Sequence, residues 1–215
     1  SGEVLLVTGQ NDQAIACFEN ILAKKIVQDV RIEAHLALCR AWFRKGDWAR
    51  CETMARKGLA LLGEHLPARK FSVGLGILRE FAIHLLHLVF PFVFVRSTEK
   101  KDGKTARKII EFYVNVGWSF ILSDTTKFVH SILRMVNLSR RKIGPSRELG
   151  VSLGSYASLC MAIPLFGRAL QYHEKALGLR GIIGDEWGVA QSLQFLGFCH
   201  EWRGEYERGI ECFRR

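Results

Sequence analysis

Apolar side chains recur along the chain every three to four positions, the period of an amphipathic α-helix. No segment shows the sustained alternation of apolar and polar residues that is typical of a half-buried strand. The pattern therefore predicts an all-α protein with essentially no sheet. Helices are predicted at about residues 2–8, 11–25, 29–45, 48–62, 69–90, 103–122, 125–142, 146–162, 166–180, 186–203 and 205–215.

Three of the breaks between helices carry side chains that commonly cap helix N-termini. Asp124, Ser146 and Asp185 each stand at the start of a predicted helix. A carboxylate or hydroxyl oxygen at that position accepts a hydrogen bond from an amide of the first helical turn. We therefore expect a cap at each of these residues. The one long polar break, residues 96–104, predicts an exposed loop.

A repeated pattern underlies part of this helical series. Gly9, Gly46 and Gly204 are each followed five positions later by a small residue and nine positions later by an apolar or small one. A glycine tolerates the left-handed turn that ends a helix, and a small residue lets the paired helix approach closely. Residues four apart share one helix face. The resulting seam pairs are Ala14/Phe18, Cys51/Ala55 and Gly209/Phe213.

The helix before each turn repeats as well. Seven residues before Gly46 and Gly204 stand the small residues Cys39 and Gly197, and each of these directly follows a leucine. A degraded copy has seam alanines Ala169 and Ala176 but Pro164 at its turn. In a further copy Phe128 occupies the small position, so we expect that hairpin to be splayed or packed differently.

Spacing gives the number of units. Ala14 to Cys51 is 37 residues, Phe128 to Ala169 is 41, and Ala169 to Gly209 is 40. These distances predict about five units of 37–41 residues, stacked as an α-solenoid of antiparallel helical hairpins. We expect one superhelical domain over 1–215, with regular repeats at 2–65 and 144–215 and a divergent helical middle at 66–143. Because neither end has the polar capping repeat of a solenoid, we expect a fragment of a longer protein.

The seam residues carry a resemblance to tetratricopeptide (TPR) repeats, clearest over Glu33–Leu61 and Trp187–Arg215. The segment from Ile182 through Leu196 to Tyr206 also resembles the repeat region of large bacterial signalling ATPases. That resemblance implies a regulatory repeat region in signal transduction, with an ATPase, kinase or cyclase module elsewhere in the full-length chain. It covers about residues 72–215. The predicted units of 37–41 residues are longer than the TPR consensus of about 34, so we expect a departure from the regular TPR superhelix.

Charge adds a second hypothesis about partners. The formal net charge is +10, which favours anionic partners, although a solvated surface beside acidic neighbours has the same composition. Nucleic-acid binding is therefore the alternative function, without base-specific reading, because no polar pair recurs in every repeat. Two basic clusters are the candidate phosphate contacts: Lys100, Lys101, Lys104, Arg107 and Lys108, and Arg140, Arg141, Lys142 and Arg147.

Cysteines and hydropathy bear on compartment. Six cysteines without a C-x-x-C pair lie in apolar helical stretches, which favours free thiols in a reducing cytoplasm. The apolar run Phe81–Val95 is shorter than a membrane span and contains His84, His87 and Pro91. It predicts a buried helix that ends at the proline, and no membrane partner. An interfacial membrane helix is the alternative.

The residues give no catalytic constellation. His84 and His87 share a helix face but lack a third metal ligand with suitable spacing, so we expect core histidines, no metal and no cofactor. The sequence at 101–105 ends like a phosphate-binding loop, but Thr98 stands where the motif needs glycine. We therefore expect this chain not to be an enzyme.

The hypothesis that follows is a non-catalytic scaffold that binds a protein, a peptide or other domains of its own chain. A solenoid of hairpins lines its concave face with the first helix of each hairpin. A small-molecule sensor in the histidine-rich middle is a further alternative. By offset from the turns, the exposed partner-binding candidates are Arg40, Tyr113, Ser158, Gln191, Gln194 and Glu201.

Overall fold

The computed structural model describes residues 2–90 and 102–215, and its regular structure over those residues is entirely helical. Every predicted helix is present, and each end lies within three residues of its predicted position. The all-α prediction is confirmed. The helices are α1 Gly2–Val7, α2 Asn11–Leu22, α3 Gln28–Arg44, α4 Trp48–Leu61, α5 Lys70–Val89, α6 Gly103–Ser123, α7 Thr125–Lys142, α8 Arg147–Ala162, α9 Phe166–Ile182, α10 Glu186–Trp202 and α11 Tyr206–Arg214.

Contacts divide the chain into two compact units. The first comprises Ser1–Leu78 and Lys108–Ser131, and the second comprises Arg79–Arg107 and Ile132–Arg215. In the first unit α1 packs on α2, α2 on α3 and α3 on α4. In the second, α8, α9, α10 and α11 pack successively, and α8 also contacts α10. Each unit thus brings consecutive helices together through short turns. The prediction of one superhelical domain stays a prediction.

The turn glycines have the predicted backbone conformation. Gly9, Gly46 and Gly204 have φ angles of 77°, 75° and 78°, in the left-handed region that costs a residue with a side chain about 1 kcal/mol or more. At Gly46 the chain closes tightly, because the Asp47 amide donates to the Trp42 carbonyl oxygen at 3.0 Å. The next helix begins within two residues, as the repeat requires.

All three predicted caps are present. The Ser146 hydroxyl accepts from the Leu149 amide at 3.2 Å, and Asp185 Oδ1 accepts from the Gly188 amide at 3.2 Å. Asp124 Oδ1 accepts from the amides of residues 126 and 127, both at 3.1 Å. Each of these oxygens satisfies an amide that the helix itself leaves without an acceptor.

In two of the seams a glycine lies against a phenylalanine that follows it by 16 positions. In the first unit, a methyl group added at Gly2 would lie 2.7 Å from Phe18 Cζ, so only glycine fits beside the ring. In the second unit a methyl group at Gly197 would overlap the ring of Phe213 in the same way. In the copy between them Cys39 and Ala55 occupy these positions, and both are fully buried. The helix pairs therefore keep close contact with different pairs of side chains.

Cysteine fills the tightest seam. Cys39 Sγ and Cys51 Sγ lie 3.3 Å apart, both fully buried, and all six cysteines are free thiols. The hydrogen bond with Cys51, and then burial, raise the pKa of Cys39 well above 9.0, so that thiol is neutral at pH 7. It acts there as a small apolar residue, as its position in the repeat predicts.

One prediction about the middle of the chain is wrong. The apolar run that begins at Phe81 was expected to form a buried helix, and α5 does end at Val89, just before the proline. However, only 22% of its most apolar 18-residue window is buried. Phe81, Leu85 and Val89 are 46%, 42% and 65% exposed. The physical reason is that Glu80, His84 and His87 occupy the inner side of the helix instead. Residues 91–95 of the run lie outside the described residues.

Candidate functional site

The two candidates in the first unit are engaged in internal contacts. Arg40 on α3 is half-buried, and its guanidinium pairs with the carboxylate of Glu111. Lys108 Nζ also contacts Glu111, at 3.1 Å, and lies 2.7 Å from Glu33 Oε1. Burial alone would lower the pKa of Lys108, but the two carboxylates together raise it. Arg40 is thus part of a charge network, which leaves its guanidinium less available to a partner.

The expectation that Tyr113 is exposed is wrong. Its side chain is fully buried, and its hydroxyl donates to Glu64 Oε1 at 3.1 Å. Its ring also lies 6.4 Å from that of His130. Tyr113 was chosen by its offset from a turn, but no turn glycine fixes the register of α6. The offset therefore does not predict which side of α6 is exposed, and Tyr113 faces the core of its unit.

Two further candidates, in the second unit, are half-buried. Ser158 donates to the carbonyl oxygen of Gly154, one turn earlier in its own helix, at 3.1 Å. Gln191 Oε1 accepts from Arg180 Nη2 at 3.1 Å. The hydrogen-bonding capacity of both side chains is therefore partly used within the unit.

The last two candidates belong to an exposed row on α10. Gln194 and Glu201 are both exposed, and they stand seven residues apart, close to two full helical turns, on one face. Seven residues before Gln194 lies Trp187, whose side chain is 65% exposed. Trp187 is absent from the candidates chosen by offset from the turns. The signal that would have found it is its spacing of seven residues from Gln194. We call Trp187, Gln194 and Glu201 the α10 row.

A buried network of charged and polar groups fixes the N-terminal part of α10. Arg180 is 2% exposed, and its Nη1 donates to the Gly188 carbonyl oxygen and to Ser192 Oγ, both at 2.7 Å. Its Nε lies 3.8 Å from Asp185 Oδ2. Burial lowers the pKa of Arg180, while Asp185 acts in the opposite direction and keeps it a cation. The N-terminal turn of α10, and with it Trp187, is therefore held in place.

A shallow cavity of about 250 Å³ lies beside this network. Arg180 and Arg215 contribute its cationic groups, and Val189 and Leu193 contribute apolar surface. Arg180 Nη1 and Nη2 already donate hydrogen bonds within the unit, and Arg180 Nε lies 3.8 Å from Asp185 Oδ2. The guanidinium of Arg180 is therefore engaged with the protein, which leaves it less available to a ligand in the cavity.

A second buried polar cluster occupies the interior of the second unit. The amide of Asn137 donates to Glu80 Oε2 at 2.9 Å, and Arg79 and Arg134 lie 2.6 and 3.5 Å from Glu80 Oε1. Burial alone would raise the pKa of Glu80, but these three donors lower it below 4.5. The carboxylate therefore stays ionised and is held as a structural anion.

The histidines of α5 lie in this cluster, as the prediction of core histidines requires. The centroids of the His84 and Tyr156 rings lie 4.6 Å apart, with the ring planes tilted by 37°. Burial, with Arg140 next in effect, lowers the pKa of His84 to about 4. Burial also lowers the pKa of His87. Across the described residues, no group of three or more His, Cys, Asp or Glu side chains could hold a metal ion.

The basic clusters are largely paired. Arg107 pairs with Glu148, Lys142 pairs with Asp102, and Lys108 contacts two carboxylates. Arg140 is 9% exposed, and its guanidinium lies over the ring of Tyr172. Lys100 and Lys101 lie outside the described residues. Much of the predicted basic surface is thus neutralised within each unit.

Comparison with protein-family models and with curated proteins gave no match. The described structure defines a helical protein with repeated seams and an exposed row on α10.

Proposed function

We propose that the chain is a TPR-like solenoid of antiparallel helical hairpins, and that it is a non-catalytic regulatory scaffold in the cytoplasm. In this proposal its partner is a protein or peptide, which includes other modules of its own polypeptide. Support comes from the seams. Left-handed glycines precede α2, α4 and α11, and each is followed at offset five by a buried small residue, as in TPR hairpins.

The observation that carries the binding role is the exposed tryptophan on α10. Trp187 is 65% exposed on the first helix of a hairpin, in one line with Gln194 and Glu201. Tryptophan side chains are enriched among the few residues that dominate interface energies. The cap and the buried Arg180 hold the helix that presents it. An anchor on a rigid element loses little entropy on binding.

Binding is favoured over catalysis by the state of the buried titratable groups. Glu80 is ionised and surrounded by donors, and His84 and His173 have pKa values lowered to about 4. A general acid or base works best with a pKa near the ambient pH. These groups are instead arranged to stabilise the interior of the second unit.

Site-specific photocrosslinking tests the proposal. A photoreactive phenylalanine analogue at Gln194 should form an adduct with a partner in the source cell. The same analogue at Glu174, exposed on α9, is the control and should form none. Trp187→Ala should reduce the Gln194 adduct by about tenfold, as loss of a hot spot does. Equal adducts at both positions, or none at Gln194, would rule out the α10 row as the binding surface.

A further inference from the structure

The second half of α5 carries its apolar side chains on the outside. Between residues 81 and 90 every exposed residue is apolar, with exposures of 38–65% for the large side chains. The only polar side chains in that stretch are two histidines, and both are buried. This polarity is the reverse of an ordinary surface helix of a soluble protein. We call the exposed set the outer face of α5: Phe81, Leu85, Leu86, Leu88, Val89 and Phe90.

Interior contacts fix this orientation. Glu80, His84 and His87 follow one another at four and three residues, so they form one stripe on the helix. Glu80 is held by Asn137, whose amide donates to both its carboxylate and its backbone carbonyl oxygen, at 2.9 and 2.7 Å. Rotating the helix to bury its apolar side would expose the stripe and break these bonds. The outer face is therefore a stable feature of the unit.

The charge of the chain adds a second property to this apolar face. Arg168 and Arg141 lower the pKa values of His84 and His87, so these two cations act on the inner stripe and not on the outer face. The formal net charge of the chain is nevertheless +10. An apolar face on a cationic chain complements a surface that is anionic outside and apolar within.

We propose that the outer face of α5 binds the boundary between headgroups and acyl chains of an anionic phospholipid bilayer. The helix lies along the bilayer surface and does not cross it, because its inner stripe is bound to α7 and α8. By length and composition α5 would be able to span a membrane, and a core helix with those properties would be mostly buried. The proposal is independent of the α10 row.

A bilayer fits this face better than a protein partner does. Protein interfaces surround an apolar centre with polar groups and include direct hydrogen bonds. Here seven exposed residues between 81 and 90, Ala82 included, offer no polar side chain. The net charge of +10 also draws the whole chain toward anionic lipid. The sequence argued against a membrane because the run is shorter than a membrane span and contains two histidines and a proline. The structure places both histidines on the inner side of the helix.

Flotation of the 215-residue chain with vesicles tests this proposal. Vesicles of phosphatidylcholine with about 30% phosphatidylglycerol should carry the protein upward, and pure phosphatidylcholine vesicles should carry at least about tenfold less. Leu85→Gln with Val89→Gln should lower binding to the anionic vesicles by about tenfold or more, because two side chains leave the acyl boundary. Raising the salt to about 0.5 M should lower it by a similar factor, because salt screens the attraction between the net charge of +10 and the anionic headgroups.

Matched variants control for non-specific loss. Ile182→Gln with Ile210→Gln removes two exposed apolar side chains elsewhere in the unit, and Arg208→Gln removes an exposed cation. All three substitutions should leave flotation unchanged. All variants replace side chains that are at least partly exposed, and circular dichroism confirms that they fold.

Three outcomes would overturn the proposal. One is that no vesicle carries the wild-type chain. Another is equal flotation with neutral and anionic vesicles, which would remove the role of charge. The third is a concentration-dependent dimer that Leu85→Gln with Val89→Gln abolishes, without vesicle binding, which would assign the face to a second copy.

Discussion

Gly58 and Gly197 each lie against a phenylalanine ring, but the two rings differ in their freedom to move. A methyl group at Gly58 would overlap the ring of Phe112, which is fully buried. At Gly197 it would overlap Phe213, which is 48% exposed and is able to turn toward solvent. We predict that Gly58→Ala lowers the free energy of unfolding by about 1–3 kcal/mol, as overpacking does, and that Gly197→Ala lowers it by less.

Urea unfolding followed by circular dichroism measures both changes. Gly178→Ala is the control, because this exposed glycine within α9 has open space around it. That substitution should raise the free energy of unfolding by about 0.5–1 kcal/mol through helix propensity alone. Equal losses at positions 58 and 197 would show that the freedom of the ring does not decide the cost.

His173 makes the stability of the second unit depend on pH. Burial, and then the charge of Arg180, lower its pKa to about 4 from 6.5. The unfolded chain therefore binds more protons than the folded chain between about pH 4 and 6.5, so the free energy of unfolding falls as the pH falls through that window. From about pH 8 to 5 the loss from this residue is about 2 kcal/mol. His84 adds a similar loss.

We predict that His173→Phe removes its share of this slope. His173 follows Ala157 by 16 residues, and Phe18 and Phe213 occupy the equivalent position in other repeats. The His173 ring already stacks on that of Phe195, with 5.7 Å between the ring centroids. Urea unfolding of both proteins between about pH 5 and 8 measures the effect. The decrease should shrink by about 2 kcal/mol in the variant. Glu80 does not interfere, because its lowered pKa moves its own transition below 4.5. An unchanged slope would contradict the prediction.

At the scale of the helix, two caps of the same type should differ in cost. Ser146 caps α8 through one hydrogen bond, so Ser146→Ala should lower the free energy of unfolding by about 1 kcal/mol. Asp185 caps α10 and is also the carboxylate beside the buried Arg180. Asp185→Ala should cost about 3 kcal/mol or more, because it leaves a buried cation without its counter-ion. Urea unfolding measures both.

Asp185→Asn separates the two roles. The amide oxygen of asparagine keeps the cap but lacks the charge, so this variant should fall between wild type and Asp185→Ala. If Ser146→Ala and Asp185→Ala cost the same, Arg180 does not depend on Asp185.

Helices and caps were predictable because their signals are local. Each signal acts within a few residues: the period of apolar side chains, the capping oxygen and the turn glycine. Ser146 is such a cap, and Gly204 is such a turn glycine. The candidate site was less predictable. The register set by a turn glycine does not reach α6, where Tyr113 is buried. The inside-out polarity of α5 depends on Asn137, 57 residues after Glu80, and no local pattern contains that contact.

At the scale of the whole molecule, the formal charge overstates the free positive surface. Of 31 lysines and arginines, several are engaged inside a unit, such as Arg40 with Glu111 and Lys127 with Glu52. Arg180 is buried. An ion pair with a carboxylate competes with phosphate for the same cation. The charge therefore acts mainly as a diffuse attraction, which salt screens within about 10 Å.

Weak, salt-sensitive binding to nucleic acid is the consequence that we predict. Fluorescence anisotropy with a labelled single-stranded RNA should show binding at low salt and none at about 0.15 M, because few phosphates release their counter-ions. Asp102→Asn removes the carboxylate that pairs with Lys142, and should make the decline of log affinity with log salt steeper by about one. Glu174→Gln is the control and should change the slope little, because this exposed carboxylate forms no ion pair with a cation of the described residues. Tight wild-type binding at about 0.15 M salt would instead favour a nucleic-acid partner, because diffuse attraction does not persist there.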